Sequence, residues 1–113
     1  MSLQDKVALV TGSGSGFGEG IARRFVAGGA KVAVLDRDGN AAARVAKELG
    51  GNALALAADI TVKEEVDAAL AATLAEFGRV DVLVNNAGVG HKPQSAELVD
   101  PDEFERVIGV NIR

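Results

Sequence analysis

Val7-Ala8-Leu9-Val10-Thr11-Gly12-Ser13-Gly14-Ser15-Gly16-Phe17-Gly18 sets a short apolar run directly against a glycine-rich loop. Residues 16–27 then carry Ile21 and Phe25 at helical spacing until Gly28 and Gly29 stop the helix. Strand, glycine turn and helix in that order make the first unit of a parallel sheet with crossover helices. The loop does not fit Gly-x-Gly-x-x-Gly, because in the registers that start at Gly12, Gly14 and Gly16 the last position falls on Phe17, Glu19 and Ile21. A Walker A loop is excluded as well, since no Gly-Lys-Ser or Gly-Lys-Thr follows. The spacing that fits is Thr-Gly-x-x-x-Gly-x-Gly. Gly12 turns the chain off the strand, Gly16 lets backbone approach a pyrophosphate, and Gly18 lets the helix pack close to the sheet. Gly12, Ser15, Gly16, Phe17 and Gly18 are therefore the candidate ligand residues of this loop, at the positive end of a helix dipole.

The unit repeats along the chain. Lys31 to Leu35 reads as a second strand, and Ala42, Val45, Ala46 and Leu49 mark a helix stopped by Gly50 and Gly51. A third strand lies within residues 53–58, and Thr61 with Glu64 reads as a capping box for a helix burying Val66, Leu70, Thr73 and Phe77. Val80 to Val84 is the fourth strand, followed by Asn85-Asn86-Ala87-Gly88 and a loop to about Val99. Asp100, Pro101 and Glu103 predict the start of a last helix through Phe104, Val107, Ile108 and Asn111. No linker or low-complexity tract interrupts residues 1–113, so one domain, or part of one, is expected.

Composition narrows the function classes. The chain has 113 residues, 48% hydrophobic and 25% charged, a globular composition despite 14 glycines. It has no cysteine and a single histidine, His91, so thiolate chemistry and an obvious zinc site are excluded and no metal is expected. His91 itself reads as an exposed loop residue. A net charge of -4 with scattered basic residues argues against nucleic acid. No apolar run approaches the roughly 18 residues of a membrane span, and a cytoplasmic setting is expected. There is also no tyrosine, so no residue of the chain can act as a phenolic acid or base.

Asp36 ends the second strand, 24 positions after Gly12 and near the offset at which a carboxylate meets an adenosine ribose. A 2′-phosphate placed against it would cost roughly 4 kcal/mol per unit charge at about 4 Å and an effective dielectric near 20. NAD is favoured on that ground. Arg37 keeps NADP open, because a guanidinium beside the ribose can hold a 2′-phosphate or stack on adenine.

With these residues in hand, the chain resembles the short-chain dehydrogenase/reductase family from about Lys6 onward. The resemblance rests on the Thr11 to Gly18 loop, on Asp81-Val82-Leu83-Val84-Asn85-Asn86-Ala87-Gly88, and on Val110-Asn111. It implies an α/β fold, a Rossmann-type doubly wound parallel sheet, truncated, with strand order 3-2-1-4 in the part present. It further implies that Asp59 and Ile60 flank the adenine, that Asn86, Ala87 and Gly88 line the path to the nicotinamide ribose, and that Asn111 is a catalytic-site Asn organising a proton relay. The implied activity is hydride transfer between nicotinamide and an alcohol or carbonyl substrate, in a homodimer or homotetramer. The family's tyrosine, lysine and serine lie downstream of residue 113, so these residues alone are expected to bind dinucleotide without catalysing. Residues 1–113 then form the N-terminal part of the cofactor-binding domain, with the fourth strand left as an open edge. Two rival readings are a dinucleotide-binding regulatory module without catalysis, and an S-adenosylmethionine methyltransferase, which leaves Asn-Asn-Ala-Gly unexplained.

Overall fold

Val7, Ala8, Leu9 and Val10 alternate their side chains across a strand, and both faces of that strand are covered. In the computed structural model, which describes residues 3–14, 16–85, 94–99 and 107–112, β1 (Val7–Thr11) is buried at every position. It pairs in parallel with β2 (Lys31–Asp36) on one side and β4 (Val82–Asn85) on the other. β3 (Ala53–Ala57) extends the sheet beyond β2, also in parallel. The expected order 3-2-1-4 is thus present.

Register sorts the side chains by parity. Ala8 and Val10 stand level with Val32, Val34 and Val84, and this face packs under α1 (Gly16–Ala27) and α2 (Gly39–Leu49) through Ala22, Ala42, Val45 and Ala46. Leu9, Ala33 and Leu35 face the other way, toward Ala69 of α3 (Lys63–Phe77) and Val80. Helices on both sides make the sheet doubly wound. This burial explains why the strands read as near-continuous apolar runs.

Of the third-helix residues expected to be buried, Thr73 is, while Val66, Leu70 and Phe77 are only partly so. Ala69 and Thr73 are its fully buried positions, Leu70 and Leu74 pack beside them, and the Phe77 ring sits 5.9 Å from the Lys31 ammonium. Small residues on the contact stripe bring the helix close to Leu9 and Leu35. The Thr73 hydroxyl is satisfied by the Ala69 carbonyl at 2.8 Å. Thr61 does not cap this helix: its N–H and hydroxyl donate to Asp59 at 2.9 and 2.6 Å, and the N-cap position is Val62 without a side-chain bond. An Asx turn at Asp59 has taken the hydroxyl that a capping box would use.

The expected last helix is also corrected. β5 (Gln94–Val99) pairs antiparallel with β4, and β6 (Val107–Ile112) pairs antiparallel with β5, giving six strands in the order 3-2-1-4-5-6. The edge of β4 is therefore covered rather than open. Two physical preferences agree with this outcome: unpaired strand edges seek partners, and Val107, Ile108, Val110 and Ile112 are β-branched residues that favour strands. The proposed cap at Asp100, Pro101 and Glu103, together with Phe104, lies outside the described residues, as does His91.

Leu9 is 1% exposed at the centre of the second core cluster. Leu9→Ala is expected to destabilise the fold by about 2–5 kcal/mol in urea unfolding; a loss below about 1 kcal/mol would contradict this packing.

Candidate functional site

Parallel strands deliver their carboxyl ends, and the loops that leave them, to one edge of the sheet. Thr11, Asp36 and Ala57 end β1, β2 and β3 there, beside Asn85 of β4. The Thr11 hydroxyl ties two of these ends together, reaching the Val84 carbonyl and the Asn85 side chain, both at 3.3 Å.

Ser13 fixes the start of the glycine loop. It is fully buried; its hydroxyl donates to the Val10 carbonyl at 2.6 Å and accepts from the Leu35 N–H at 3.0 Å. Its own N–H donates to the Leu35 carbonyl at 3.2 Å. The loop thus continues β1 along the end of β2 before it turns. Gly14 comes next, with its N–H on Asp36 Oδ2 at 2.9 Å, while Asp36 Oδ1 accepts from the Asp38 N–H at 2.9 Å. A side chain at Gly14 has no room: its Cβ would stand 2.8 Å from Ala41 Cβ and 2.8 Å from Asp36 Oδ2.

Gly16 contrasts with it. Its φ of +59° lies in the left-handed region, and a Cβ there would meet nothing within 4 Å. Gly12 turns the chain at φ +61°. α1 starts at Gly16, so the first-turn amides of Gly16, Phe17 and Gly18 have no carbonyl partners within the helix. Gly18 is buried against the sheet, and Phe17 is the large apolar side chain left 58% exposed.

Charged groups surround this loop in pairs. Glu19, in the first turn of α1, accepts from Arg23 at 2.6 Å and from Arg44 of α2 at 3.2 Å. Both guanidiniums also reach Glu48. The same Arg44 donates to the Gly14 carbonyl at 3.1 Å. The Arg23 bond, then the Arg44 bond, hold the Glu19 carboxyl below its ordinary value, and Arg23 leads the same effect at Glu48. At the end of β3, Asp59 is lowered chiefly by the hydroxyl and N–H of Thr61, with a smaller contribution from Arg37, whose guanidinium lies 3.4 Å away. Ile60 packs on the edge of the core.

Gly12, Gly16, Phe17, Gly18, Asp36, Arg37, Asp59 and Ile60 therefore gather along the carboxyl edge of β1, β2 and β3. Ser15, Asn86, Ala87 and Gly88 lie outside the described residues. Asn111 is on β6 rather than on a helix, opposite Ser95, which is itself opposite Asn85. That register leaves Asn111 two strand spacings, about 10 Å, from the end of β4. Pattern reading missed Ser13 and Arg44. Ser13 occupies an unrestricted position of the loop motif, and Arg44 looks like any solvated cation of an amphipathic helix.

No helix among the described residues is long and apolar enough to cross a membrane, and none of them forms a metal-ligand cluster. A family model described as short chain dehydrogenase matches residues 6–113. Zerumbone synthase of Zingiber zerumbet is 40% identical over 99% of this chain and 43% of its own length. L-fucose dehydrogenase of Bos taurus is 39% identical over 95% of this chain and 39% of its own. Among solved structures, 3-ketoacyl-(acyl-carrier-protein) reductase from Brucella melitensis, complexed with NADH, is 64% identical with a TM-score of 0.77, covering 94% of this chain and 43% of that one. Hydroxysteroid dehydrogenase from Escherichia coli is 42% identical with a TM-score of 0.76, covering 79% and 38%. The chain thus spans less than half the length of these relatives.

Two measurements check the site. Ser13→Ala leaves the buried Leu35 N–H without its hydroxyl and is expected to destabilise the fold by about 1–3 kcal/mol in urea. The depressed carboxylates set the acid limb: their stabilisation is complete above the ordinary values of 4.5 for Glu19 and Glu48 and 3.8 for Asp59, and is lost as pH falls through the lower folded values. Melting temperature should therefore fall with acidification in that window, with a shallower slope in Glu19→Gln.

Proposed function

The chain belongs to the short-chain dehydrogenase family, and from that premise we propose that residues 1–113 are the dinucleotide-binding part of a nicotinamide-dependent oxidoreductase acting on an alcohol or carbonyl substrate. The observation that carries the reading is the 2.9 Å bond between Gly14 and Asp36. It joins the loop suited to a pyrophosphate to the acid suited to the neighbouring ribose.

The residues fit such a ligand. Each Asp36 oxygen takes one backbone N–H, and a carboxylate has about four lone-pair sites, so two remain for a vicinal pair of hydroxyls. The open space in front of Gly16 lets phosphate oxygens approach the first-turn amides of α1. By family resemblance Asp59 and Ile60 are assigned to the adenine, and Asn86, Ala87 and Gly88 to the nicotinamide side. When bound, the nicotinamide supplies a hydride acceptor or donor at C4. These residues bind and orient the dinucleotide; proton transfer to substrate belongs to the family's tyrosine, which has no counterpart among the 113 residues. Asn111 is proposed as a relay residue on resemblance alone.

Magnitudes favour NAD over NADP. A 2′-phosphate against Asp36 meets a repulsion of roughly 4 kcal/mol per unit charge. Arg37 is paired with Asp59 through a side chain 79% exposed, and exposed pairs are worth about 0–1 kcal/mol. Arg37 can offset part of the repulsion and not all of it. The substrate is proposed to be a small alcohol or carbonyl compound, the assembly a homodimer or homotetramer, and the compartment the cytoplasm.

Calorimetric titration of the intact protein tests the reading. NADH is expected to bind at least about tenfold more tightly than NADPH, a difference of about 1.4 kcal/mol, and Asp36→Ala to narrow that ratio. Gly16→Ala should weaken NADH binding while lowering stability by only about 1–2 kcal/mol, the strain of a left-handed alanine. Binding of S-adenosylmethionine without NADH would overturn the assignment.

A further inference from the structure

We infer that Arg44 is a positioning residue for dinucleotide binding: it holds the carbonyl side of the Gly14 peptide and neutralises Glu19 beside the pyrophosphate loop. The inference rests on the proposed dinucleotide site and goes beyond it, because Arg44 lies on α2, outside the loop motif and past the acid at position 36. Two independent observations support it.

The first is geometric. Gly14 is gripped from both ends by side chains of the second βα unit, its N–H by Asp36 at 2.9 Å and its carbonyl by Arg44 at 3.1 Å. The N–H belongs to the peptide before Gly14 and the carbonyl to the peptide after it, so the two bonds hold the planes on either side of its Cα and limit rotation about φ and ψ there. Gly16, the first residue of α1, lies two positions on. The packing agrees, since Ala41, three residues before Arg44, leaves no space for a side chain at Gly14.

The second is electrostatic. Glu19 sits in the first turn of α1, where an uncompensated carboxylate would oppose a dianionic ligand at the same helix end. Its carboxyl is divided between two cations, Arg23 on one oxygen and Arg44 on the other. With Glu48 the group holds two positive and two negative charges, so its net field at the loop is small while all four partners are in place. Arg44 is the member that touches both the cluster and the loop backbone. Its planar fork serves several acceptors at once, which a lysine cannot reproduce.

The test compares three variants of the intact protein: Arg44→Gln, Arg44→Lys, and Glu48→Gln, which alters the cluster without touching the loop. NADH affinity by fluorescence, melting temperature, and the division of steady-state effects between the KM for NADH and kcat are read together. The expected result is a rise of about three- to tenfold in Kd and KM for Arg44→Gln, a smaller rise for Arg44→Lys, and kcat at saturating NADH within twofold of wild type. Glu48→Gln removes a negative charge and no bond to the loop, so it should bind NADH no more weakly than wild type while lowering the melting temperature. Wild-type affinity in Arg44→Gln overturns the inference. So does an equal loss in Glu48→Gln, because the cluster would then act only as glue between helices. If Arg44→Gln is not recovered folded, wild-type affinity in Arg44→Lys overturns it in the same way. Failure of the wild type itself to bind NADH would sink the site assignment instead, a distinguishable outcome.

Discussion

Burial of β1 between two parallel neighbours is the constraint from which the rest follows. With Val7 to Thr11 enclosed on both faces and both edges, the chain can leave the strand only at the carboxyl end of the sheet. Parallel pairing then brings the ends of β2 and β3 to the same place. Crossover helices must lie on the sheet faces, and the parity of Val10 against Leu9 decides which face each one covers. The site is the point where these obligations leave backbone polar groups at the rim.

Those groups are managed by side chains rather than by further sheet. Ser13, two residues past the end of β1, extends its contact with β2 beyond the ladder, and Asp36 takes the next amide. A loop of four glycines within residues 12–18 would otherwise be highly mobile. Polar anchoring confines its freedom to Gly12 and Gly16, where the positive φ angles are needed, and leaves open space beside Gly16.

The strands of the parallel core and the helices that cross them were legible because their signals are local. Apolar runs of four to six residues and glycine stops at 28–29 and 50–51 place the boundaries to within a residue or two. Asp36 was legible for the same reason, since its offset from Gly12 follows from the length of one βα unit. Arg44 and Ser13 were not: their bonds span 30 and 22 residues and depend on register and helix rotation, which no short window encodes. Residues 107–112 show the opposite failure. There the capping pattern Asp100-Pro101-Asp102-Glu103 spoke for a helix, while the β-branched run after Val107 and the pairing demand of the β4 edge spoke for a strand. Tertiary pairing decided between two local signals of similar strength.

The arrangement also accounts for how an acidic chain could take the polyanion proposed for it. A net charge of -4 sets the distant field, and screening removes most of it beyond about 10 Å at ordinary ionic strength. At contact distance the proposed ligand would meet amide dipoles at the start of α1, which carry partial positive charge without any lysine. The nearby carboxylates are each engaged: Asp36 with two amides, Asp59 with Thr61, and Glu19 with two guanidiniums. Negative charge is thereby concentrated where a ribose needs acceptors and compensated where a phosphate needs donors. On the proposed reading, selectivity among dinucleotides would rest on the Asp36 carboxylate, and affinity on backbone geometry that the surrounding side chains hold in shape.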